Sequence, residues 1–185
     1  MALEGCLVPQ SVDPITTRVH QPPRIPLENI RPDLLAPVLP AYRPGSDDQV
    51  AGCRCPLKLS LPIEEDDTSA NLDARWFVDY DPNNRPSTGI QFQTLLPGSL
   101  GGSVDRGTVE FQVQPDSFAT SGTHVVELVI AEQGAFKDSS TTTRPNRSVD
   151  TASGYASVVY RFVIDVQASP RPACPDALPS QRVCR

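Results

Sequence analysis

Five cysteines are the residues of this chain with the most chemistry to offer, and they fall into three groups along the sequence. One lies near the N-terminus, a Cys-x-Cys pair precedes the first strand-like run, and two follow the last such run: Cys6, then Cys53 and Cys55, then Cys174 and Cys184. Paired thiols that bracket a strand-rich segment are typical of a disulfide-closed domain outside the cytoplasm. We therefore expect the last four to form disulfides and Cys6 to have a separate role.

The spacing of these four cysteines narrows their pairing without fixing it. Alternate residues of an extended chain point to the same side, and a bridge within a Cys-x-Cys pair would close a strained ring. We expect Cys53 and Cys55 to pair with Cys174 and Cys184, in either of two connectivities. The first such bridge would contribute about 4–5 kcal/mol on the chain-entropy account. A four-cysteine zinc site is the alternative, but zinc ribbons favour Cys-x2-Cys pairs, so we expect no cofactor.

Three oxygen-bearing residues at alternate positions are the nearest approach to a metal site. Asp79, Asp81 and Asn83 match the opening of a calcium-binding loop. The pattern then stops, because Asn84 and Ile90 stand where that loop has its glycine and its bidentate glutamate. Turn chemistry at the end of a strand explains the same residues. The three are incomplete calcium candidates, and we predict no metal site.

Residues for nucleophilic or acid–base catalysis are sparse. The two histidines, His20 and His124, stand far apart in the sequence, and no G-x-S-x-G, H-E-x-x-H or catalytic-cysteine motif occurs. The glycine-rich stretch 97–102 does not lead into a predicted helix, which a phosphate site of that kind needs. We therefore predict no catalytic residues and no enzyme activity.

Composition argues against nucleic acid as a partner and against a membrane-spanning segment. The net charge of −6 comes without any cluster of lysine and arginine, so nucleic acid is not an expected partner. No run of about 18 apolar residues is present to span a membrane. The 20 prolines and the hydrophobic fraction of 38% indicate that part of the chain lies outside a core.

The elements that must position these residues change character along the chain. Prolines recur through residues 7–52 too often for a helix or a central strand, which predicts an extended tether. Within residues 53–168, by contrast, six runs have the alternating or two-sided apolar pattern of strands. These runs are Leu57–Leu61, Leu72–Asp81, Ile90–Leu96, Val109–Val113, His124–Glu132 and Ala156–Val166. Because turn-rich segments separate them, we predict an all-β fold, an antiparallel sandwich, followed by a disulfide-linked tail at 169–185.

The long connection at residues 134–154 is the predicted partner-binding loop. Loops of this length without structure of their own are usually binding elements or disordered segments. Phe136, Arg144 and Arg147 are its candidate anchors for a partner. A polar excursion between two strands, with no binding role, is the alternative.

The strand-rich segment resembles immunoglobulin-like modules of the PKD and fibronectin-III kind. Trp76 stands where such folds have their buried strand-C tryptophan. Phe111-x-Val113-x-Pro115, followed by the run 122–128, looks like strand E, the corner and strand F of those modules. The resemblance implies an immunoglobulin-like β-sandwich of about seven strands, preceded by the Pro-rich extended segment.

The N-terminal residues Leu3-Glu4-Gly5-Cys6 resemble the lipobox of bacterial lipoproteins, although Glu4 stands where a small or apolar residue is usual. The layout of lipobox, Pro-rich stretch, Cys-x-Cys pair and the run 75–81 is similar to short envelope lipoproteins of myxobacteria. The resemblance implies that residues 1–6 are the remnant of a signal sequence and that Cys6 carries a lipid anchor.

A protein of that kind would sit in the bacterial cell envelope, as an outer-membrane lipoprotein that faces the periplasm or the cell surface. Its role would be non-catalytic binding or structure, through loop 134–154 or a sheet edge, with the membrane and another envelope protein as partners. The alternatives are a soluble secreted module that binds carbohydrate or protein, with Cys6 unmodified, and a calcium-dependent adhesin.

Overall fold

The computed structural model of the protein describes residues 21–31, 38–43, 57–81, 90–113, 118, 120–137 and 146–168. Seven strands lie within these ranges: β1 (Leu39–Arg43), β2 (Leu57–Glu64), β3 (Leu72–Val78), β4 (Ile90–Leu96), β5 (Asp105–Val113), β6 (Gly122–Glu132) and β7 (Ser157–Ala168). The only helical elements in these ranges are single 3-10 turns at Leu27–Asn29 and Thr151–Ser153. No helix of the described ranges is long and apolar enough to cross a membrane.

The strands form two sheets that enclose one apolar core. The larger sheet has the order β1-β7-β6-β3-β4, and the smaller sheet pairs β2 with β5. All pairs are antiparallel except β1 and β7, which run parallel. Trp76 of the larger sheet stacks on Phe111 of the smaller one, with ring centroids 5.1 Å apart. The predicted all-β sandwich is therefore confirmed.

Strands β3 and β6 are interior strands of the larger sheet, and both of their faces are buried. Leu72, Ala74 and Trp76 of β3 point into the core, as Leu128 and Ile130 of β6 do. The intervening residues of both strands are also buried. Both faces of these strands are therefore covered, which agrees with the apolar, two-sided sequence of β6.

The N-terminal part of the described chain belongs to the sandwich, which differs from the predicted tether over residues 7–52. Arg24 and Arg31 pair with Glu64 and Ser60, so residues 24–31 run antiparallel beside β2. Ile30 is 1% exposed and lies in the core.

Strand β1 lies in the same predicted tether and pairs with the C-terminal half of β7. Its residues Leu39 and Ala41 are buried in the core. Proline is tolerated in such strands because they lie at sheet edges. The rest of the predicted tether is outside the described residues.

The strand order bears on the predicted immunoglobulin-like topology. The smaller sheet pairs β2 with β5, and the larger sheet places β7, β6, β3 and β4 side by side. The immunoglobulin-like assignment itself stays a prediction.

Candidate functional site

Charged side chains occupy the outer face of the larger sheet, the face turned away from the core. Asp73 and Arg75 of β3 and Glu127 of β6 all lie there and are buried. The Arg75 guanidinium lies 2.8 Å from Asp73 Oδ2, and the Gln93 amide donates to Asp73 Oδ1 at 2.9 Å. Burial of a charge without a partner would be costly, and these contacts supply the partner.

Glu127 is held by two arginines from different parts of the chain. Arg147 Nε lies 2.8 Å from Glu127 Oε2, and Arg161 of β7 approaches Oε1. The Arg147 guanidinium also lies 5.6 Å from the Tyr80 ring centroid. Because these groups bond one another, the arrangement ties the covering chain and β7 to β6.

The chain between β6 and β7 folds back over this face. We call residues 134–137 and 146–156 the covering segment. Phe136 forms a bridge with Val149, and Lys137 N donates to Ser148 O at 2.9 Å, so the two halves of the segment pair. Phe136 is 7% exposed, and its ring centroid lies 3.8 Å from Arg75 Cζ, within the range of a cation–π contact.

An apolar cluster lies under the covering segment. Phe77, Val129 and Ala131 of the sheet pack against Ala135 and Phe136. The sequence offered one signal of this cover, since Phe77 stands among the charged residues of that face of β3. An apolar side chain on an otherwise polar face is expected where a further segment packs.

The predicted anchors of the partner-binding loop lie in or beside the covering segment. Phe136 and Arg147 make the intrachain contacts described above, whereas Arg144 is outside the described residues. The chain leaves the covering segment at Lys137 and returns at Asn146, whose side chain donates to Lys137 O at 3.2 Å. Both ends of the loop are thus fixed on the sheet, and its role in partner binding stays a prediction.

The calcium candidates lie at the end of β3. Asp79 Oδ1 accepts from Val125 N at 2.9 Å, and Asp79 Oδ2 lies 2.6 Å from His124 Nδ1. Asp79 has a φ of 47°, a conformation that aspartate adopts more readily than most residues. The carboxylate therefore bonds the start of β6 through both oxygens. Asp81 is described and Asn83 is not.

His124 is bonded through both ring nitrogens. Its Nε2 lies 3.0 Å from Thr120 O and its Nδ1 faces Asp79, while the ring packs against Phe118. This arrangement is that of a structural histidine at a strand corner. Across the described ranges, no group of three or more histidine, cysteine, aspartate or glutamate side chains is arranged to hold a metal ion.

The part of the sandwich around β4 and β5 exposes large apolar side chains. We call β4, the loop 97–104 and β5 the open side. Seven large hydrophobic residues among those described are exposed, and four of them lie in this stretch: Phe92, Leu95, Leu100 and Val104. The β3–β4 register places Phe92 on the inner face of β4, opposite Trp76, and Leu95 on the outer face, opposite Asp73. Exposed apolar surface can mark an interaction site.

Arg106 anchors the start of β5 on this open side. Its buried guanidinium donates to three backbone carbonyls, those of Pro97 at 2.6 Å, Ala70 at 2.7 Å and Asp67 at 2.8 Å. These bonds tie β5 both to the end of β4 and to the turn after β2. The buried Arg106 side chain therefore fixes the start of β5 relative to β4 and to the turn after β2.

Glu65 lies beside this anchor and is buried. Its Oε1 accepts from Asp67 N at 2.9 Å, whereas Oε2 has no hydrogen-bond partner among the described atoms. Burial, together with the nearby carboxylate of Glu132, raises the pKa of the Glu65 carboxyl, and Arg106 opposes that rise. A buried carboxyl in this position makes stability depend on pH.

The lipidation and disulfide predictions cannot be placed in this arrangement. Cys6, Cys53, Cys55, Cys174 and Cys184 all lie outside the described residues. Their roles stay predictions.

The fold and these surfaces define an all-β sandwich protein with one outer face closed by its own chain and one open flank. The chain matches no protein-family model, no curated protein and no solved structure. The case for a function is therefore built on the chemistry of its surfaces.

Proposed function

We propose that the protein is a non-catalytic binding or structural module of the bacterial cell envelope. In this proposal a lipid on Cys6 attaches the chain to the outer membrane, and the immunoglobulin-like sandwich holds or recognises another envelope component. The lipobox resemblance of residues 3–6 supports the anchor. The disulfides of Cys53 and Cys55 with the tail would suit the oxidising environment of that compartment.

One observation carries the binding role: the exposed apolar side chains are concentrated on the open side. Phe92 is 45% exposed although it shares the inner face of the larger sheet with the fully buried Trp76, and Leu95 is 54% exposed on the outer face. Water contact at such side chains costs free energy that a partner would recover by covering them. The loop between Lys137 and Asn146 adds a second candidate surface whose ends are already fixed, which lowers the entropy lost on binding.

The anchor is tested by mass spectrometry of the Cys6 peptide from the native membrane fraction. A diacylglyceryl adduct is the expected result, and a Cys6→Ser variant should move from the membrane fraction to the soluble fraction. A Cys174→Ser variant is a matched control, since it removes a thiol without touching the anchor. Unmodified Cys6 in soluble protein would overturn the anchor and favour the secreted binding module.

The binding role is tested separately by photo-crosslinking in the producing cells. A photoreactive residue at Leu100 on the open side should link the protein to an envelope component. The same residue at Lys58, on the exposed face of β2, serves as the control position. Equal labelling from both positions would count against a binding surface on the open side.

A further inference from the structure

Among the described strands, one position beside β5 and above the larger sheet is not filled. Strand β5 pairs with β2 along one edge, and its other edge has no strand partner within the described ranges. Phe111 of β5 stacks on Trp76 of β3 and lies 6.3 Å from Phe92 of β4. Strand β5 therefore lies over β3 and β4, and the next position beyond it lies over β4.

The inner face of β4 is left uncovered at that position. Phe92 is opposite Trp76 in the β3–β4 register, so both side chains point to the same, inner face of the sheet. Trp76 is fully buried, yet Phe92 is almost half exposed. The difference arises because β5 is the last strand of the smaller sheet and covers only Trp76 fully.

The chain between β4 and β5 does not fill this position. Loop 97–104 connects the two strands directly and is pinned to the turn that follows β2. Ser99 N donates to Thr68 O at 2.7 Å, and Gly98 N donates to the Asn71 side chain at 2.8 Å. A Cβ on Gly98 would lie 2.7 Å from Ser69 O, so the loop packs closely there.

From these contacts we infer that the free edge of β5 and the inner face of β4 form a groove for an extended segment of a partner protein. The segment would add a strand to β5, with backbone hydrogen bonds along the edge. Its apolar side chains at alternate positions would cover Phe92 and Phe111. This inference rests on the proposed binding function and names the chemistry that the site recognises.

The free edge of β4 is a poorer site for the same segment. A strand added there would extend the larger sheet beyond the smaller one, so its inner side chains would face water. A strand on β5 has the inner face of β4 beneath it instead. Since apolar burial supplies most of the affinity, the edge of β5 is favoured.

Charge selects the kind of segment. The exposed charged side chains of β5 are Asp105 and Glu110, whereas Arg106 is buried. The described side chains of β4, residues 92–96, carry no charge. Glu110 also pairs with Lys58 of β2, with 2.7 Å between the charged atoms, and both side chains are half exposed. A second copy of the chain would bring its own Asp105 and Glu110 to this edge, while a segment with lysine or arginine beside its apolar residues would offer these carboxylates a further cation.

The test uses the full chain and a display library of random linear peptides. Enriched peptides should have apolar residues at alternate positions, at least one basic residue and no central proline. In fluorescence anisotropy the variant Phe92→Asp should bind them at least tenfold more weakly than the unmodified protein. Leu27→Asp is the matched control, because it introduces the same charge at an exposed leucine outside the open side, and it should change binding less than twofold.

Hydrogen exchange supplies a second readout that does not depend on a variant. Bound peptide should slow exchange of alternate backbone amides of β5, because those amides point to the free edge. Protection confined to another region would overturn the groove. So would an absence of enriched peptides, or a dimer whose formation requires Phe92, since a second copy would then be the occupant.

These outcomes separate the groove from the broader proposal. Peptides that bind the unmodified protein and Phe92→Asp equally would overturn the groove and leave the binding module intact. Crosslinks that form equally at Leu100 and Lys58, with no peptide enriched, would count against both.

Discussion

The outer face of the larger sheet and the open side differ in how far the chain covers them. On its outer face the covering segment buries Phe136 over Arg75, and the charges beneath it are paired. On the open side Phe92 stays almost half exposed and the edge of β5 has no strand partner in the described part of the chain. We infer that the outer face under the covering segment contributes to stability and that the open side contributes to binding.

The difference has a simple origin in chain length. The connection from β6 to β7 is long enough to fold back over the sheet, whereas loop 97–104 only crosses from one sheet to the other. Burial of Asp73, Arg75 and Glu127 follows from the first, and exposure of Phe92 from the second. Four predictions test whether the two flanks differ in this way.

Loss of the buried ion pair on the closed face should have the largest effect. Arg75→Met leaves the Asp73 carboxylate buried with the Gln93 amide, and we expect a loss of about 3–5 kcal/mol in the free energy of unfolding. Urea denaturation measures it. The double variant Asp73→Leu/Arg75→Met should recover most of this loss, because neither charge of the pair then remains buried.

A control for this variant lies on the smaller sheet. Lys58→Met removes an exposed ion pair with Glu110, whose atoms are 2.7 Å apart, and should cost less than about 1 kcal/mol. Similar losses for Arg75→Met and Lys58→Met would show that the covering segment does not bury the outer face.

Two phenylalanines compare the flanks directly. Phe136→Ala should cost about 3 kcal/mol because it removes a buried ring from the cluster under the covering segment. Phe92→Ala should cost only about 1 kcal/mol, since half of that ring is already in water. Thermal or urea unfolding of the two variants gives the difference, and a reversed order would contradict the assignment of closed and open flanks.

The internal anchor of the open side should have an intermediate effect. Arg106→Met leaves the carbonyls of Pro97, Asp67 and Ala70 without their shared donor, and we expect a loss of about 2 kcal/mol. Hydrogen exchange should rise at the start of β5 and leave β7 unchanged. Uniform destabilisation without that local change would argue against an anchor.

Glu65 should have the smallest effect, and its sign depends on pH. The raised pKa means that the folded protein binds a proton more tightly than the unfolded chain does. Stability is therefore lost as the pH rises from the ordinary glutamate pKa through the raised value. Glu65→Gln removes the buried charge and should raise the urea midpoint at neutral pH, by less than the losses above.

The gain from Glu65→Gln should shrink as the pH falls below the ordinary glutamate pKa. Glu64→Gln is a control on the adjacent, more exposed carboxylate and should change the midpoint little. A gain that is the same at both pH values would rule out titration of Glu65 as its cause.

Much of the fold was predictable because strands leave a local signature. The period-2 runs located β2 to β7, and Trp76 is in the core as its strand position implied. The sequence pattern did not indicate β1 or the pairing of residues 24–31, because their prolines favour an extended spacer. Their pairing with β7 and β2 is edge pairing with residues far along the chain, and no local period encodes such contacts.

The surfaces were less predictable than the strands. Alternation along β3 places Asp73 and Arg75 on the face opposite Trp76, but alternation alone could not show that the covering segment buries that face. Phe136 stood out as a large ring in a long loop, but its contact with Arg75 joins residues 61 positions apart in the sequence. The exposure of Phe92 likewise depends on how far β5 reaches across β4.

By itself the sequence determined an all-β chain, the faces of its principal strands and an acidic surface without a basic cluster, because period and charge are local properties. Only the tertiary structure decided that residues 24–31 and β1 join the sandwich, that the chain closes one face over paired charges, and that one flank stays open. Burial and edge pairing depend on contacts between segments that are far apart in the sequence, and local sequence patterns do not encode those contacts.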